Sequence, residues 1–300
     1  MTSKQREDLD ALLRHGDLDL GGDVIKQRAV FHAMIASIPL PADVTAVAGE
    51  YGGVPVVTVE AGTPAEDGAA ANVLLYLHGG AYAIGSAADS VGLASDVARR
   101  TGARAISVDY RLAPEHPFPA AVEDAVTAYR ALLAAGTPSE RIAFVGESAG
   151  GGLVAATLVA LKAAGLPQPA CAAVFSPWAD LSLSGASAVG KAAADPAMTA
   201  QGLRVRARDY LGETDPESPL ASPIFADLSG LAPLLIQVGS HEILLDDAVR
   251  LAARAAEQAV AVQLQVWPGV PHVFQSFAAI LDEAAEALDA AAAFIRAAWA

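Results

Sequence analysis

Gly146-Glu147-Ser148-Ala149-Gly150 follows the apolar run Arg141-Ile142-Ala143-Phe144-Val145 and precedes a helix-forming stretch. A serine between two glycines at such a junction is a nucleophile elbow. The sharp strand-to-helix turn holds the hydroxyl out at the carboxyl end of a sheet, and a Cβ at either glycine would collide with neighbouring elements. By itself the five-residue pattern is weak, so its context decides.

Working outward, short β-rich runs alternate with longer helical patterns from Val54 onward, the signature of a mostly parallel sheet covered on both faces. Strands are predicted near 54–59, 73–77, 105–109, 142–145, 172–175, 234–238 and 262–266, with an antiparallel strand near 46–50 turning into the first across Tyr51-Gly52-Gly53. Helices are predicted near 91–100, 122–134, 151–163, 247–257 and 278–298. The expected fold is α/β, with an eight-stranded sheet. Two segments break the rhythm. Residues 1–42 carry charged, amphipathic helical patterns, and residues 181–225 are rich in Ser, Ala and Pro with a helix near 201–210. Together they are expected to form a small helical cap over the two parts of the core, 43–180 and 226–300.

Composition narrows the function classes. Three hundred residues, 53% of them hydrophobic, suffice for one large domain with a full core. The 19 basic and 34 acidic residues give a formal charge of −15, which repels phosphate backbones and anionic lipid, so neither nucleic acid nor membrane is an expected partner. The single cysteine, Cys171, lies in an apolar strand-like run and reads as buried filler. The charged start, Met1-Thr2-Ser3-Lys4-Gln5-Arg6, lacks a following apolar core and no continuous apolar run approaches the ~20 residues that span a bilayer, so a soluble cytoplasmic protein is expected. No metal-binding histidine spacing and no phosphate-cradling glycine motif is present, and no cofactor is implied.

A serine hydroxyl needs an imidazole to take its proton and a carboxylate to fix that imidazole's tautomer. On an elbow of this kind the partners follow in the order serine, acid, histidine. His272, in Pro268-Gly269-Val270-Pro271-His272 just beyond the last strand, fits the base. The acid belongs in Gly239-Ser240-His241-Glu242-Ile243-Leu244-Leu245-Asp246-Asp247. Glu242 is the first carboxylate after the turn and is preferred. Asp246 and Asp247, at a helix start where acids commonly complement the dipole, are the alternatives. His241 is read as a neighbour. Donors for a developing oxyanion are expected from the backbone N–H groups of Gly79 and Gly80, in His78-Gly79-Gly80-Ala81-Tyr82, and of Ala149.

These motifs, together with Asp109-Tyr110-Arg111-Leu112-Ala113-Pro114-Glu115-His116 and the extension of the elbow to Gly151, resemble the hormone-sensitive-lipase-like (bacterial family IV) carboxylesterases of the α/β-hydrolase superfamily. The resemblance runs from Val54 to the C-terminus and rests on three motifs in the right order and spacing. It implies the α/β-hydrolase fold, a Ser148, Glu242, His272 triad, the oxyanion donors just named and a cap. Two departures stand out: Ala81 replaces the usual third glycine and Glu242 the usual aspartate. The 109–116 segment is read as scaffold, with Arg111 paired to Asp109 or Glu115.

The expected function is hydrolysis of short to medium acyl esters through an acyl-enzyme on Ser148. Lactone hydrolysis by the same triad is the alternative, and a non-catalytic small-molecule-binding relative is the reading from another class. Phe118, Trp178, Leu181 and Tyr210 are candidates to shape the pocket or fill the core. The edge strand near 262–266 is the expected surface of a possible homodimer.

Overall fold

The computed structural model describes residues 2–62 and 72–300. Helices α1 (Thr2–Arg14) and α2 (Val24–Ala36) come first, followed by the hairpin β1 (Val44–Tyr51) and β2 (Val54–Ala61). Then come β3 (Val73–Leu77), α3 (Val91–Thr101), β4 (Arg104–Val108), α4 (Ala120–Ala134), β5 (Ile142–Glu147), α5 (Ala149–Ala163) and β6 (Cys171–Phe175). Short α6 (Ser187–Gly190) and α7 (Ala200–Leu211) precede β7 (Leu234–Gly239), α8 (Leu245–Glu257), β8 (Val262–Trp267) and α9 (Asp282–Trp299). The eight strands form one sheet in the order β1-β2-β4-β3-β5-β6-β7-β8. β2 is antiparallel to both its neighbours, and the pairs from β4 to β8 are parallel.

The strand sequences explain this layering. β3 to β7 are nearly continuous apolar runs because both faces are covered. The period of two sorts their side chains: Val73, Leu75, Leu77, Ile142 and Phe144 join the core under α4, α5 and α8, whereas Leu74, Tyr76, Ala143 and Val145 join that under α3 and α9. Cys171 is buried in the second core, as expected. β8 is an edge strand, and Leu264 and Val266 remain exposed on it. Among the described residues no helix is long and apolar enough to cross a membrane.

Boundaries differ from the sequence expectation chiefly at the last helix. Residues 274–277 form a 3-10 turn, and α9 starts only at Asp282.

The segments outside the α/β rhythm touch one another and the loops that follow the strands. Arg206 on α7 donates to Gly22 O at 3.0 Å, and Arg14 on α1 reaches Ala193 O and Ala194 O, both at 3.3 Å. Arg28 on α2 donates to Ala83 O and Ala113 O, each at 2.8 Å, and grips both oxygens of Glu115 at 2.8 and 2.7 Å. That contact corrects the pairing expected within 109–116. Arg111 binds Asp124 and Glu123 on α4 instead, and Asp109 accepts from the Ala87 N–H at 2.9 Å. The charges in this segment thus tie separate elements together.

Candidate active site

Ser148 occupies the step between β5 and α5 with φ 55° and ψ −124°, a conformation costing a non-glycine residue about 1–3 kcal/mol that only surrounding contacts can hold. Those contacts are present. The Ser148 N–H donates to Phe175 O on β6 at 2.9 Å, and Ser148 O accepts from Gly152 and Trp178 N–H at 3.1 and 2.9 Å. A Cβ on Gly146 would lie 2.5 Å from Gly150 O, and one on Gly150 only 2.0 Å from Leu77 O. The two glycines are therefore required by backbone that passes too close for any side chain.

The loops after β7 and β8 carry the acid and imidazole candidates. Glu242 is fully buried, and its Oε2 accepts from His272 Nδ1–H at 2.7 Å. Its Oε1 accepts from the Gly239 N–H at 2.7 Å and the Ser176 hydroxyl at 2.8 Å. Of the three carboxylates left open by the sequence, Glu242 is the one bonded to His272. Asp246 accepts from the Ser187 N–H at 2.9 Å, and Asp247 from the Ala179 and Asp180 N–H groups at 2.9 and 2.8 Å. His241 is exposed, and its N–H donates to Val270 O at 3.1 Å, helping to zip the two loops together.

Ser176 was not anticipated. It follows β6, is fully buried, and sits at φ 49°. Besides donating to Glu242, its oxygen accepts from the Val273 N–H at 3.1 Å, so one hydroxyl spans the acid loop and the residue after His272. No sequence pattern marks such a residue, since its partners lie 66 and 97 positions away. Ser176→Ala leaves the Val273 N–H and one lone pair of Glu242 unsatisfied; we expect a stability loss of about 1–3 kcal/mol. Urea unfolding of the purified variant checks it, and an unchanged midpoint would refute the assigned coupling.

The glycine-rich loop after β3 lies directly on the elbow. A Cβ on Gly79 would be 3.1 Å from Glu147 O and 3.2 Å from Ser148 Cβ. Its chain runs through positive φ at Gly80 (113°), Ala81 (52°) and Tyr82 (60°), so Ala81 adopts the left-handed conformation that a glycine would take without strain. The Gly79 N–H, expected to face the substrate, instead donates to Glu147 Oε1 at 2.8 Å. This corrects its assignment as an oxyanion donor: one hydrogen cannot fully serve two acceptors. Among the described residues nothing accepts the N–H groups of Gly80, Ala81 and Ala149. Ala81 thus joins Gly80 and Ala149 as a candidate donor in place of Gly79.

Burial dominates the electrostatics. It pushes the Glu147 carboxyl up to about 7, with the nearby Tyr76 hydroxyl and the Gly79 N–H pulling the other way. It also lowers the pKa of His78, whose Nδ1–H donates to Gly79 O at 2.7 Å and fixes the neutral tautomer. The aromatic candidates divide as core and rim. Trp178 and Tyr210 are buried, and Tyr82 stacks on Tyr210 with ring centroids 3.9 Å apart. Leu181 is buried, and Phe118 packs half-buried edge-on against Tyr210. Among the described residues no cluster of three or more His, Cys, Asp and Glu side chains is arranged to hold a metal ion.

The family model of the alpha/beta hydrolase fold matches residues 74–276. The crystal structure of an esterase from the bacterial hormone-sensitive lipase family superposes with a TM-score of 0.94, at 42% identity and over 100% of both chains. This chain belongs to the hormone-sensitive-lipase-like α/β hydrolases. The hydrolase is also 48% identical over 223 residues to an acetyl-hydrolase of Streptomyces hygroscopicus, covering 74% of this chain and 75% of the relative. It is 37% identical over 234 residues to an ethyl acetate hydrolase of Pseudomonas putida, covering 75% and 72%. These esterase and acetyl-hydrolase relatives make it a carboxylic ester hydrolase.

Proposed function

We propose that the hydrolase cleaves short to medium acyl esters by way of an acyl-enzyme on Ser148. The observation that carries this reading is the 2.7 Å bond from His272 Nδ1 to the buried Glu242, on the loops after β7 and β8 at the same end of the parallel sheet as the strained Ser148 that follows β5. With Nδ1–H held by the carboxylate, Nε2 is left as a base. It takes the Ser148 proton as Oγ attacks the ester carbonyl, then returns it to the departing alcohol. Water repeats the sequence on the acyl-enzyme, the new carboxylic acid leaves and Ser148 regains its hydrogen. Through both tetrahedral intermediates the oxyanion is held by the N–H groups of Gly80, Ala81 and Ala149.

Residues 1–42 and 181–225 act as the cap that encloses the substrate. The contacts of Arg206, Arg14 and Arg28 described above, which join these segments to one another and to the loops after β3 and β4, support that role. The small esters named for the relatives, acetyl groups and ethyl acetate, support a short acyl group.

The test is rapid acid quench during turnover of p-nitrophenyl acetate, butyrate, octanoate and decanoate, followed by peptide mass spectrometry. An acyl adduct on the peptide containing Ser148, with rates falling toward decanoate, is the expected result. Turnover with the adduct on another residue would overturn the assignment of the nucleophile.

A further inference from the structure

We propose that Glu147 is a positioning residue for the oxyanion hole: by accepting the Gly79 N–H it locks the glycine-rich loop against the elbow and so aims the Gly80 and Ala81 donors at the carbonyl oxygen of the ester that Ser148 attacks. The proposal rests on the acyl-transfer reading above and assigns a task to a side chain that this chemistry leaves unused.

Gly79 is the joint of the loop. Lacking a Cβ, it has wide torsional freedom, and its rotation swings the peptide plane that carries the Gly80 N–H. Two bonds remove that freedom. Glu147 Oε1 takes the N–H at 2.8 Å from one side, and His78 Nδ1–H donates to the C=O at 2.7 Å from the other. Flanking ties complete the frame. The Tyr110 hydroxyl donates to His78 O at 2.7 Å, and Gly80 O accepts from Ala83 and Ile84 N–H at 3.1 and 2.8 Å. A cavity of about 20 Å³, room for about one water, adjoins Phe31, His78, Gly79 and Glu147.

The origin of the clamp matters as much as its strength. Glu147 is the last residue of β5 and Ser148 the next in the chain, so one strand end sets both the nucleophile and the height of the donors above it. A donor array preorganised in this way costs no rearrangement when charge develops, which is the largest source of its effect. The side chain keeps this position at a cost. Glu147 Oε2 is buried with only the nearby Tyr76 hydroxyl to favour its charge, and that hydroxyl lies outside hydrogen-bond geometry. An acceptor is needed at Oε1, and the second oxygen is dispensable. A glutamine would keep the acceptor and turn its NH2 toward the Tyr76 oxygen.

The experiment compares E147A and E147Q on p-nitrophenyl butyrate, and measures inhibition by an alkyl trifluoromethyl ketone, which forms a tetrahedral oxyanion, beside the matching methyl ketone. For E147A we expect kcat to fall roughly 10- to 100-fold with KM within about twofold, and trifluoromethyl ketone affinity to fall by the same factor while methyl ketone affinity holds. E147Q should recover both quantities to within about fivefold of the native values. Equal damage in E147A and E147Q would overturn the proposal by showing that charge, not the acceptor, is what matters. Loss of kcat without loss of trifluoromethyl ketone affinity would overturn it too, as would unaltered kcat in E147A. If E147A melts below the assay temperature, the comparison moves to E147D, which folds the same carboxylate into a shorter reach and should lose kcat without rescue. Ser148→Ala run alongside separates the two levels: hydrolysis persisting in that variant defeats the acyl-enzyme reading itself, whereas its loss with an unaffected E147A defeats only the role of Glu147.

Discussion

Ser148→Ala and His272→Ala are each expected to lower kcat by about 10⁴- to 10⁶-fold, with the double variant hardly worse than either single one. In the proposed mechanism the residues act as one unit: without the hydroxyl there is no nucleophile to activate, and without the imidazole the hydroxyl keeps its proton. What survives in either variant is the contribution of the oxyanion donors and of substrate binding, which neither substitution touches. Glu242→Gln tests the geometry more finely. Oε1 of Glu242 already serves two donors, the Gly239 N–H and the Ser176 hydroxyl, so the single carbonyl oxygen of a glutamine belongs there. The amide NH2 then faces His272 Nδ1 and forces the proton onto Nε2, the nitrogen that has to accept from Ser148. A loss of about 10⁴-fold in kcat with KM little changed is expected from that tautomer reversal. Initial rates on p-nitrophenyl butyrate measure all four variants, and additive losses in the double variant would show that Ser148 and His272 do not share a step.

Gly150→Ala should have the largest effect on stability. Alanine is the better helix former by about 1 kcal/mol, and Gly150 lies in the first turn of α5, so propensity alone favours the change. Sterics oppose it decisively. The added Cβ would sit 2.0 Å from Leu77 O and 2.4 Å from His78 O, and both oxygens belong to backbone at the end of β3 and the start of the glycine-rich loop. Neither can rotate away as a side chain would. Relief requires α5 to lift from the sheet, taking the elbow with it, so we expect at least about 3 kcal/mol of destabilisation and a Tm lower by roughly 6 °C or more. Gly190→Ala is the matched control, because nothing lies within 4 Å of a Cβ there. Thermal unfolding by circular dichroism reads both; a Gly150→Ala protein as stable as Gly190→Ala would contradict the close packing of elbow on strand.

Much of the hydrolase is written in local sequence. The alternation of apolar runs and helical patterns set the sheet and its covering layers, because a strand buried on both faces has no other composition available. The glycines around Ser148 identified the elbow, since steric exclusion of a Cβ acts at the residue itself. Ser148, His272 and the glycine-rich loop could be named from order and spacing alone. The tertiary structure decided how hydrogen bonds are shared among elements far apart in the chain. It bonded His272 to Glu242 and gave Asp246 and Asp247 to the backbone of the segment after β6. It spent the Gly79 N–H on Glu147, left Ala81 free to donate, turned Arg111 toward α4, and placed Ser176 between two loops. Residue type fixes what a group can donate or accept and which backbone angles it tolerates. Which partner it meets depends on the packing of strands and loops that are tens of residues apart, and that information exists only once the sheet has closed.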